Sequence, residues 1–303
     1  MKLLTKIMSI ALLSATACLS AQTCCPTQTN CNPCCDWFED CEFSVFGEYL
    51  YWDFCKRTGD LDRVATPVLG TQANLQFGSD YQSGYRVGGV LRTSCWNLFV
   101  RYTSLCPTKT ISQSGLLTDE LYTEKVNYDY STLGIGVGRD INLRGLCGTL
   151  TPFIGLRFGW IDEAVEIDVV TGTTGPATTN KDTSLSFDAY GVMVGTLFKW
   201  ELWNECIPVS FVSRASLGLL KGKVSGDDIH RIEDGVITTT TAVYNRCALS
   251  FVPSIYVGLE FDLFCCDCFH ADAQIGYEAE IWSSVFSSYI SLNGLVARFA
   301  IGF

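Results

Sequence analysis

Cysteine is the residue with the most obvious chemistry in this chain of 303 amino acids, which contains 16 of them. A reducing cytosol tolerates so many thiols mainly as metal ligands or redox groups, whereas an oxidising compartment converts them into disulfide crosslinks. The spacings in Cys31–Cys34 and Cys265–Cys268 would also suit zinc. The compartment therefore decides between the two uses.

The first 21 residues predict export. Lys2 and Lys6 precede an apolar run from Ile7 to Leu19, which has the length of a secretory signal and is too short for a stable membrane helix. We expect a cleaved signal peptide over 1–21, a cysteine-rich periplasmic segment over 22–41 and the folded unit over 42–303. Because exported proteins use cysteine mostly in disulfides, we expect no metal site.

Histidine chemistry has few candidates, since the chain contains only His230 and His270. Asp228-Ile229-His230, together with Asp60 and Asp62, resembles the Asp-x-His and paired-Asp arrangement of omptin outer-membrane proteases, where a histidine oriented by a carboxylate could activate water. No other omptin block is visible in the sequence, and a Ser-His-Asp triad has little room. The glycines of residues 134–138 lack the spacing and the following helix of a nucleotide loop. We therefore expect neither an enzyme nor a cofactor.

The charge balance excludes a general nucleic-acid binder. Asp and Glu number 32 against 21 Lys and Arg, which gives a net charge of -11 at pH 7, and nucleic-acid affinity depends on cations that neutralise phosphates. After the signal, the sequence has no window of about eighteen consecutive apolar residues, so helical spans are not expected. A chain that crosses a bilayer without helices must close a β-sheet into a barrel.

Apolar and polar residues alternate with period two along much of the chain, which predicts β-strands. In one segment, for example, Tyr85 and Val87 alternate with Gly84, Arg86 and Gly88. Ten segments follow this pattern: residues 42–54, 79–93, 96–104, 121–139, 149–162, 183–202, 206–222, 238–262, 269–282 and 291–303. We expect an all-β fold, an antiparallel transmembrane outer-membrane β-barrel of about 10 to 12 strands.

The predicted connections alternate in length, as in barrels with short periplasmic turns and long extracellular loops. The long stretches are 56–78, 104–120, 163–182 and 223–237, and the short links include 94–95 and 203–205. In this topology Trp96 and Trp200 lie at the turn side, whereas Tyr102, Trp160 and Tyr190 lie at the loop side. That placement is typical of the two aromatic girdles of a membrane barrel.

The last strand ends in Phe303, which resembles the signature by which Gram-negative barrel proteins are recognised for assembly. We expect Phe303 to be an assembly signal, the barrel assembly machinery and outer-membrane lipid to be partners, and the Gram-negative outer membrane to be the location. Alternation alone also fits a soluble secreted β-sandwich. Strand length, girdle placement, loop asymmetry and the terminal Phe303 together favour the barrel.

Twelve cysteines fall on the predicted periplasmic side, at short turns or before the first strand. They are Cys24, Cys25, Cys31, Cys34, Cys35, Cys41, Cys95, Cys147, Cys206, Cys265, Cys266 and Cys268. Cys55, Cys106 and Cys247 lie toward the outer side, and Cys18 leaves with the signal. We hypothesise that the periplasmic set forms disulfides, some of them with other envelope proteins or between copies of this chain.

The segment from Phe43 to Trp52, followed by Gly59-Asp60-Leu61-Asp62, resembles the opening of the Legionella-type major outer membrane protein family. These are pore-forming barrels that are also abundant in chlamydia-like bacteria. Further matches are Tyr128-Asp129-Tyr130 with Leu133-Gly134, the segment Pro152 to Arg157, and the terminal segment Leu295 to Phe303. The resemblance implies a porin that admits small hydrophilic solutes by passive diffusion.

The polar side chains that line a pore set its selectivity. We expect this set to comprise Arg86, Arg92, Arg101, Arg157, Arg214, Arg246, Arg298, Glu260, Asp272, Glu278 and Glu280. In a narrow barrel the same residues would instead pair into a salt-bridged plug, because barrels of about eight strands are filled by side chains. Two further strands within 121–139 or 238–262 would favour an open channel. A porin, a non-conducting structural barrel and a surface adhesin therefore all remain open.

Overall fold

The structure is a computed structural model that describes residues 42–57, 81–93, 96–114, 120–143, 147–171, 177–203, 208–233, 237–266, 269–286 and 288–303. Twelve β-strands are formed: β1 (Glu42–Arg57), β2 (Tyr81–Arg92), β3 (Trp96–Leu105), β4 (Thr108–Ser114), β5 (Glu120–Arg139), β6 (Ile141–Leu143), β7 (Gly148–Thr171), β8 (Ala177–Trp203), β9 (Val209–Glu233), β10 (Ile237–Cys266), β11 (Phe269–Val285) and β12 (Ser288–Gly302). Within the described ranges, no helix is long and apolar enough to cross a bilayer.

Ten of these strands close into an antiparallel ring in the order β1, β2, β3, β5, β7, β8, β9, β10, β11, β12. The short β4 continues β3 after Cys106 and Pro107 and pairs with β5, while β6 continues β5 and pairs with β7. Segments 121–139 and 238–262 each lie within one strand. The predicted barrel is confirmed at the lower end of its expected strand number.

The ring closes with a large stagger. Followed in one direction, the register leads from Glu48 to Arg86 and, strand by strand, to Ala248 on β10. In the other direction it leads through Arg298 to Glu260 on the same strand, twelve residues away. Such a stagger tilts the strands against the barrel axis, which lets the interior be packed by side chains from opposite walls.

The outward face of the barrel is apolar over a continuous band. Ile154 and Leu156 on β7, and Tyr190 and Val192 on β8, each expose more than half of their surface. Soluble proteins rarely expose apolar patches of that extent. The barrel therefore presents a lipid-facing surface, which the β-sandwich alternative would not have.

Aromatic residues mark both ends of this band. Trp96 begins β3 and Trp200 lies near the end of β8, whereas Trp160 and Tyr190 lie at the opposite end. The two groups occupy the positions expected of the two girdles. The end that carries Trp96 also carries the links from β2 to β3, β8 to β9 and β10 to β11, and we assign it to the periplasm as the sequence predicts.

Several strands continue well beyond the lipid-facing band on the other side. Outward positions after Trp160 include Asp162 and Glu166, and on β9 the exposed Lys223 lies opposite Asp188, which in turn lies opposite Trp160. The predicted loops 104–120, 163–182 and 223–237 are consequently wrong in large part, since strands cover residues 163–171, 177–182 and 223–233 and β4 lies within the first. Outside the bilayer a strand needs no apolar face, so its alternation disappears although its backbone pairing continues. Segment 56–78 lies mostly outside the described residues.

We call this part of the sheet the extension and define it as residues 108–114, 120–128, 162–171, 177–188, 221–233 and 237–248. In the part of the chain that the structure describes, it stands on one side of the barrel. The outer half of β10, from Ile237 to Pro253, has β9 as its only partner among the described strands, because β11 first pairs with β10 at Ser254. On the other side β4 pairs with β5 alone in the described part. The extension is thus a six-stranded sheet with an edge at each end.

Candidate functional site

Polar contacts cross the middle of the bore between opposite walls. Tyr130 on β5 donates a hydrogen bond to Glu280 on β11 over 2.6 Å, and β5 and β11 are five strands apart in either direction round the ring. Arg157 on β7 forms a 2.7 Å salt bridge with the same carboxylate, and the indole of Trp282 donates to it over 2.6 Å. All four side chains are almost fully buried, so direct contacts join the two walls at this level.

A second cluster lies beside the first. Arg86 on β2 bonds Glu48 on β1 over 2.5 Å and Glu278 on β11 over 2.7 Å. Its Nε donates to the hydroxyl of Thr103, and Arg214 on β9 reaches Glu278 over 3.1 Å. Buried charges are tolerable only when they are paired and hydrogen-bonded in this way.

Indole rings support both buried arginines. The guanidinium of Arg86 lies 5.2 Å from the ring centre of Trp52, and that of Arg157 lies 5.0 Å from the ring centre of Trp282. A desolvated cation over an indole face is attracted by about 2 kcal/mol. The ring of Trp282 reaches the facing wall, where a side chain at Gly159 would collide with it.

An apolar plug fills the bore on the extracellular side of these clusters. Phe54 packs on Tyr128 with ring centres 4.4 Å apart, and Leu50, Ile161, Phe187, Leu220, Val252, Ile290 and Leu292 are fully buried within it. The turn after β11 completes the plug, because Phe286 packs edge-on against Phe187. Phe286 adopts φ 48°, a left-handed conformation that is unfavourable for a bulky residue and is sustained here by its packing.

The periplasmic half of the bore is more polar and more accessible. Lys199 bonds Glu260 there, Gln274 donates to the same carboxylate, and the side chain of Lys199 is 37% exposed. Arg298 lies over the ring of Phe46 at 4.4 Å. The interior therefore has an apolar plug on the extracellular side and a polar chamber, which we call the periplasmic cup, on the other side.

The residues that the sequence predicts on a pore wall occupy three different places in the structure: the interior face, the periplasmic rim and the extension. Arg86, Arg101, Arg157, Arg214, Arg298, Glu260, Asp272, Glu278 and Glu280 all lie on the interior face. Arg92 lies at the periplasmic rim, paired with Glu42 over 3.3 Å. Arg246 is exposed on the extension, opposite Val224 in the register. Whether any of them lines a conducting path stays a prediction.

Sequence reasoning missed Glu48, Tyr130 and Trp282 as members of the bore. Glu48 has a usable signal, because it alternates with Tyr49 and lies opposite Arg86 once β1 and β2 are paired. Trp52 and Trp282 give no such signal, since an aromatic residue is compatible with either face of a membrane strand. Lys199 was hidden by its aromatic neighbours at the periplasmic end of β8.

Most of the cysteines predicted to form disulfides lie outside the described residues: Cys24, Cys25, Cys31, Cys34, Cys35, Cys41, Cys95, Cys206 and Cys268. Cys147 lies at the periplasmic connection before β7, and the backbones of Cys265 and Cys266 lie at the periplasmic end of β10. Within the described ranges, Cys55, Cys106 and Cys247 form no disulfide. The disulfide set stays a prediction.

The histidine and carboxylate arrangement singled out in the sequence is only partly placed. Asp228 and His230 lie on β9 in the extension, where the backbone of His230 pairs with Thr240 and Lys181. Asp60 and Asp62 lie outside the described residues. The described residues contain no group of three His, Cys, Asp or Glu side chains placed to hold a metal ion.

Comparisons with known proteins give similarity to solved barrels only. No family model matches the chain, and no curated protein matches it. The outer membrane protease OmpT of Escherichia coli is 6% identical, with 89% of this chain and 99% of that chain covered and a TM-score of 0.46. A FadL homologue of Pseudomonas aeruginosa is 8% identical, with 88% of this chain and 90% of that chain covered and a TM-score of 0.26. The toluene transporter TodX of P. putida is 7% identical, with 87% and 89% covered and a TM-score of 0.27. At these values none of the three carries an argument about function.

Proposed function

We propose that the chain is a closed barrel of the Gram-negative outer membrane that anchors the extension at the cell surface, as a structural or adhesive protein. One observation carries the proposal: the hydrogen bond from Tyr130 to Glu280 joins diametrically opposite strands inside the bore. Solutes diffuse through a barrel only where water separates its walls. A bore crossed by direct 2.6 to 2.7 Å contacts lacks that separation.

The apolar plug supports the same conclusion from a second direction. Leu50, Trp52, Ile161 and Trp282 have no exposed surface although they lie inside the barrel. A hydrophilic solute that entered here would have to break buried ion pairs and then cross an apolar layer. Both steps are costly, because separating one partner of a buried pair costs about 3 to 5 kcal/mol.

The extension supports a surface role. Its strands are paired backbone to backbone well beyond the lipid-facing band, which gives a rigid outward sheet rather than mobile loops. A pore has no need of such a sheet, whereas a surface protein needs an exposed, ordered platform. Membership of the Legionella-type family and passive diffusion of small solutes remain predictions that compete with this proposal.

The proposal is tested by planar-bilayer recordings on the mature chain. We expect heat-modifiable, membrane-inserted wild-type protein to give no stable conductance steps. A variant with Tyr130→Ala, Glu280→Ala and Trp282→Ala removes the contacts across the bore and should conduct. The matched control is Leu156→Ala, which changes only the lipid-facing side beside Arg157 and should stay silent. Stable steps with ion preference from the wild type would overturn the proposal in favour of the porin.

A further inference from the structure

Arg101 is an uncompensated cation on the wall of the periplasmic cup. It lies on the inward face of β3, opposite Gly88 and Gly134 in the register, and among the described residues no carboxylate lies within salt-bridge distance of it. Burial disfavours its charge, and repulsion from Arg214 and Arg86 on the same interior face adds to that cost.

The two nearby carboxylates are already engaged. Glu48 is bonded by Arg86, and Glu278 is bonded by both Arg86 and Arg214. Three arginines thus share two carboxylates in a region of low dielectric constant, where an unbalanced charge is expensive. The deficit amounts to one negative charge.

Unpartnered polar atoms lie in the same region. The Nε of Arg214 and the hydroxyl of Tyr256 are buried without a hydrogen-bond partner, and Tyr256 is only 4% exposed. Arg214 and Tyr256 are direct register partners on β9 and β10, with the guanidinium 5.4 Å from the ring centre. Buried donors without partners are rare in native proteins, so these two donors are available to a ligand.

Glycines make room for this tyrosine. A Cβ at Gly258 would lie 2.5 Å from the hydroxyl of Tyr256, and a Cβ at Gly276 would lie 2.7 Å from its ring. The two glycines are register partners on β10 and β11. They allow the ring to lie along the wall toward the periplasm, which places the buried hydroxyl in the periplasmic half of the bore.

We propose that the periplasmic cup contains an anion site for a carboxylate or a phosphate-like oxyanion, bound by Arg101 and Arg214 with the Tyr256 hydroxyl as a further donor. An oxyanion fits because guanidinium groups donate in pairs to two oxygens of one acceptor. It would supply the missing negative charge and satisfy the unpartnered donors together. The extracellular plug restricts access to the periplasmic side.

Two sources of this anion are distinguishable. One is a free oxyanion from the periplasm. The other is the chain itself, because Asp36, Glu39 and Asp40 precede β1 by a few residues, and β1 begins at the periplasmic rim beside the cup.

The test is thermal unfolding of the refolded mature chain in detergent, with sodium phosphate titrated against sodium chloride at constant ionic strength. For a free anion, we expect the unfolding midpoint of the wild type to rise and saturate with phosphate. Arg101→Gln should weaken the apparent affinity about tenfold or more, the equivalent of one charge-assisted hydrogen bond. Tyr256→Phe, which keeps the ring, should weaken it less.

Arg92→Gln is the matched control, because this arginine lies at the exposed rim and should leave the phosphate response unchanged. If the chain supplies the anion, the wild type should not respond, whereas a variant with Asp36→Asn, Glu39→Gln and Asp40→Asn should gain a response that depends on Arg101. The absence of a response in both proteins, or an equal response in Arg101→Gln, would overturn the proposal. Bilayer conductance is a separate readout, so failure of this site leaves the closed-barrel proposal intact.

Discussion

Individual side chains in the bore are held from more than one direction. Arg157 is bonded to a carboxylate on the facing wall and stacked on an indole of the same wall. This double support explains how a charge is kept in a membrane-embedded interior. It also means that removal of one partner leaves the other in an unfavourable environment.

Glu280→Ala should destabilise the barrel by about 3 to 5 kcal/mol, because it leaves Arg157 charged and buried. The measurement is guanidinium unfolding in detergent, followed by the heat-modifiable gel shift. Glu42→Ala is the control, since its pair with Arg92 is exposed and should be worth about 1 kcal/mol or less. Equal losses in the two variants would contradict the role assigned to the pair across the bore.

Gly159→Ala should also destabilise the barrel, because the added methyl would collide with the ring of Trp282. Overpacking of this kind costs about 1 to 3 kcal/mol. Gly47→Ala is the matched substitution, since a Cβ there meets no atom within 4 Å. If the two variants unfold alike, the ring of Trp282 does not reach the facing wall.

Cys106 lies beyond the lipid-facing band, and desolvation raises the pKa of its thiol above the ordinary value. The thiol donates a 3.5 Å hydrogen bond to Asp129, which raises the pKa further because the carboxylate disfavours a neighbouring thiolate. Maleimide reacts with the thiolate, so labelling of Cys106 should be slow at neutral pH and should accelerate only at alkaline pH. Asp129→Asn should shift that acceleration to lower pH.

Mass spectrometry of the Cys106 peptide over a pH series measures the labelling rate. The exposed Cys247 in the same sample corrects for reagent loss. Coincident profiles for the wild type and Asp129→Asn would show that the carboxylate has no influence on this thiol.

The sequence alone identifies the polar residues that face the interior of the barrel. Arg86, Arg157, Glu278 and Glu280 alternate with apolar neighbours, and period two assigns them to one side. What could not be predicted is that they bond to each other across the bore. Those contacts depend on the stagger of the ring, which is the sum of the register offsets between all ten strands. No single segment of the sequence reveals that sum.

At the scale of elements, strand continuity differs between the membrane and the extension. Within the bilayer every backbone group must be paired, so each strand has two partners. Above the bilayer the outer half of β10 has one partner in the described structure. Amides of β10 between residues 237 and 248 that point away from β9 should therefore be open to exchange, whereas the Phe251 amide donates to the hydroxyl of Ser283 over 2.7 Å.

Amide hydrogen exchange should proceed at different rates in the outer parts of β9 and β10. The outer part of β9 is paired with β8 on one side and with β10 on the other. Its amides between Lys221 and Glu233 should therefore exchange slowly. Amides of β10 that face away from β9 should exchange faster at the same distance from the membrane. Mass spectrometry with electron-transfer fragmentation gives the required residue resolution, and uniform protection of β10 would indicate that another chain segment covers its edge.

The existence of all ten barrel strands is predictable from the sequence, and their outer ends are not. Inside the lipid-facing band one face of each strand must be apolar. This requirement produces the period-two alternation that includes Tyr190, Val192 and Val194. Beyond it both faces meet water, and sequences such as Thr238 to Thr241 carry no periodicity. Strand and loop are indistinguishable there by alternation alone.

At the scale of the whole molecule, both ends of the barrel sequence meet at the periplasmic rim. Phe43 and Phe303 exchange two backbone hydrogen bonds, 3.1 and 2.8 Å long, which close the ring. Cys147 lies at this same end before β7, and β8 and β10, which precede Cys206 and Cys268 in the sequence, end there. The hypothesis of periplasmic crosslinking is consistent with this arrangement.

Envelopes alkylated before lysis and compared on non-reducing and reducing gels test that hypothesis. We expect high-molecular-weight species that collapse to monomer on reduction, because distinct chains are joined by sulfur bonds. A variant in which Cys147, Cys206 and Cys268 are replaced by serine should show less of them, whereas Cys247→Ser on the outer side should not. Identical monomer bands in both lanes would end the intermolecular part of the hypothesis.

Because the extension lies on one side, the described barrel is asymmetric about its axis and has a defined orientation within the plane of the membrane. Among the described residues, the strands on the side of β12, β1 and β2 end lower than β7, β8 and β9, which continue beyond the lipid-facing band. Crowded copies should therefore pack with a preferred azimuth rather than at random. A patterned surface lattice could arise in this way from barrels whose membrane cross-sections are nearly round.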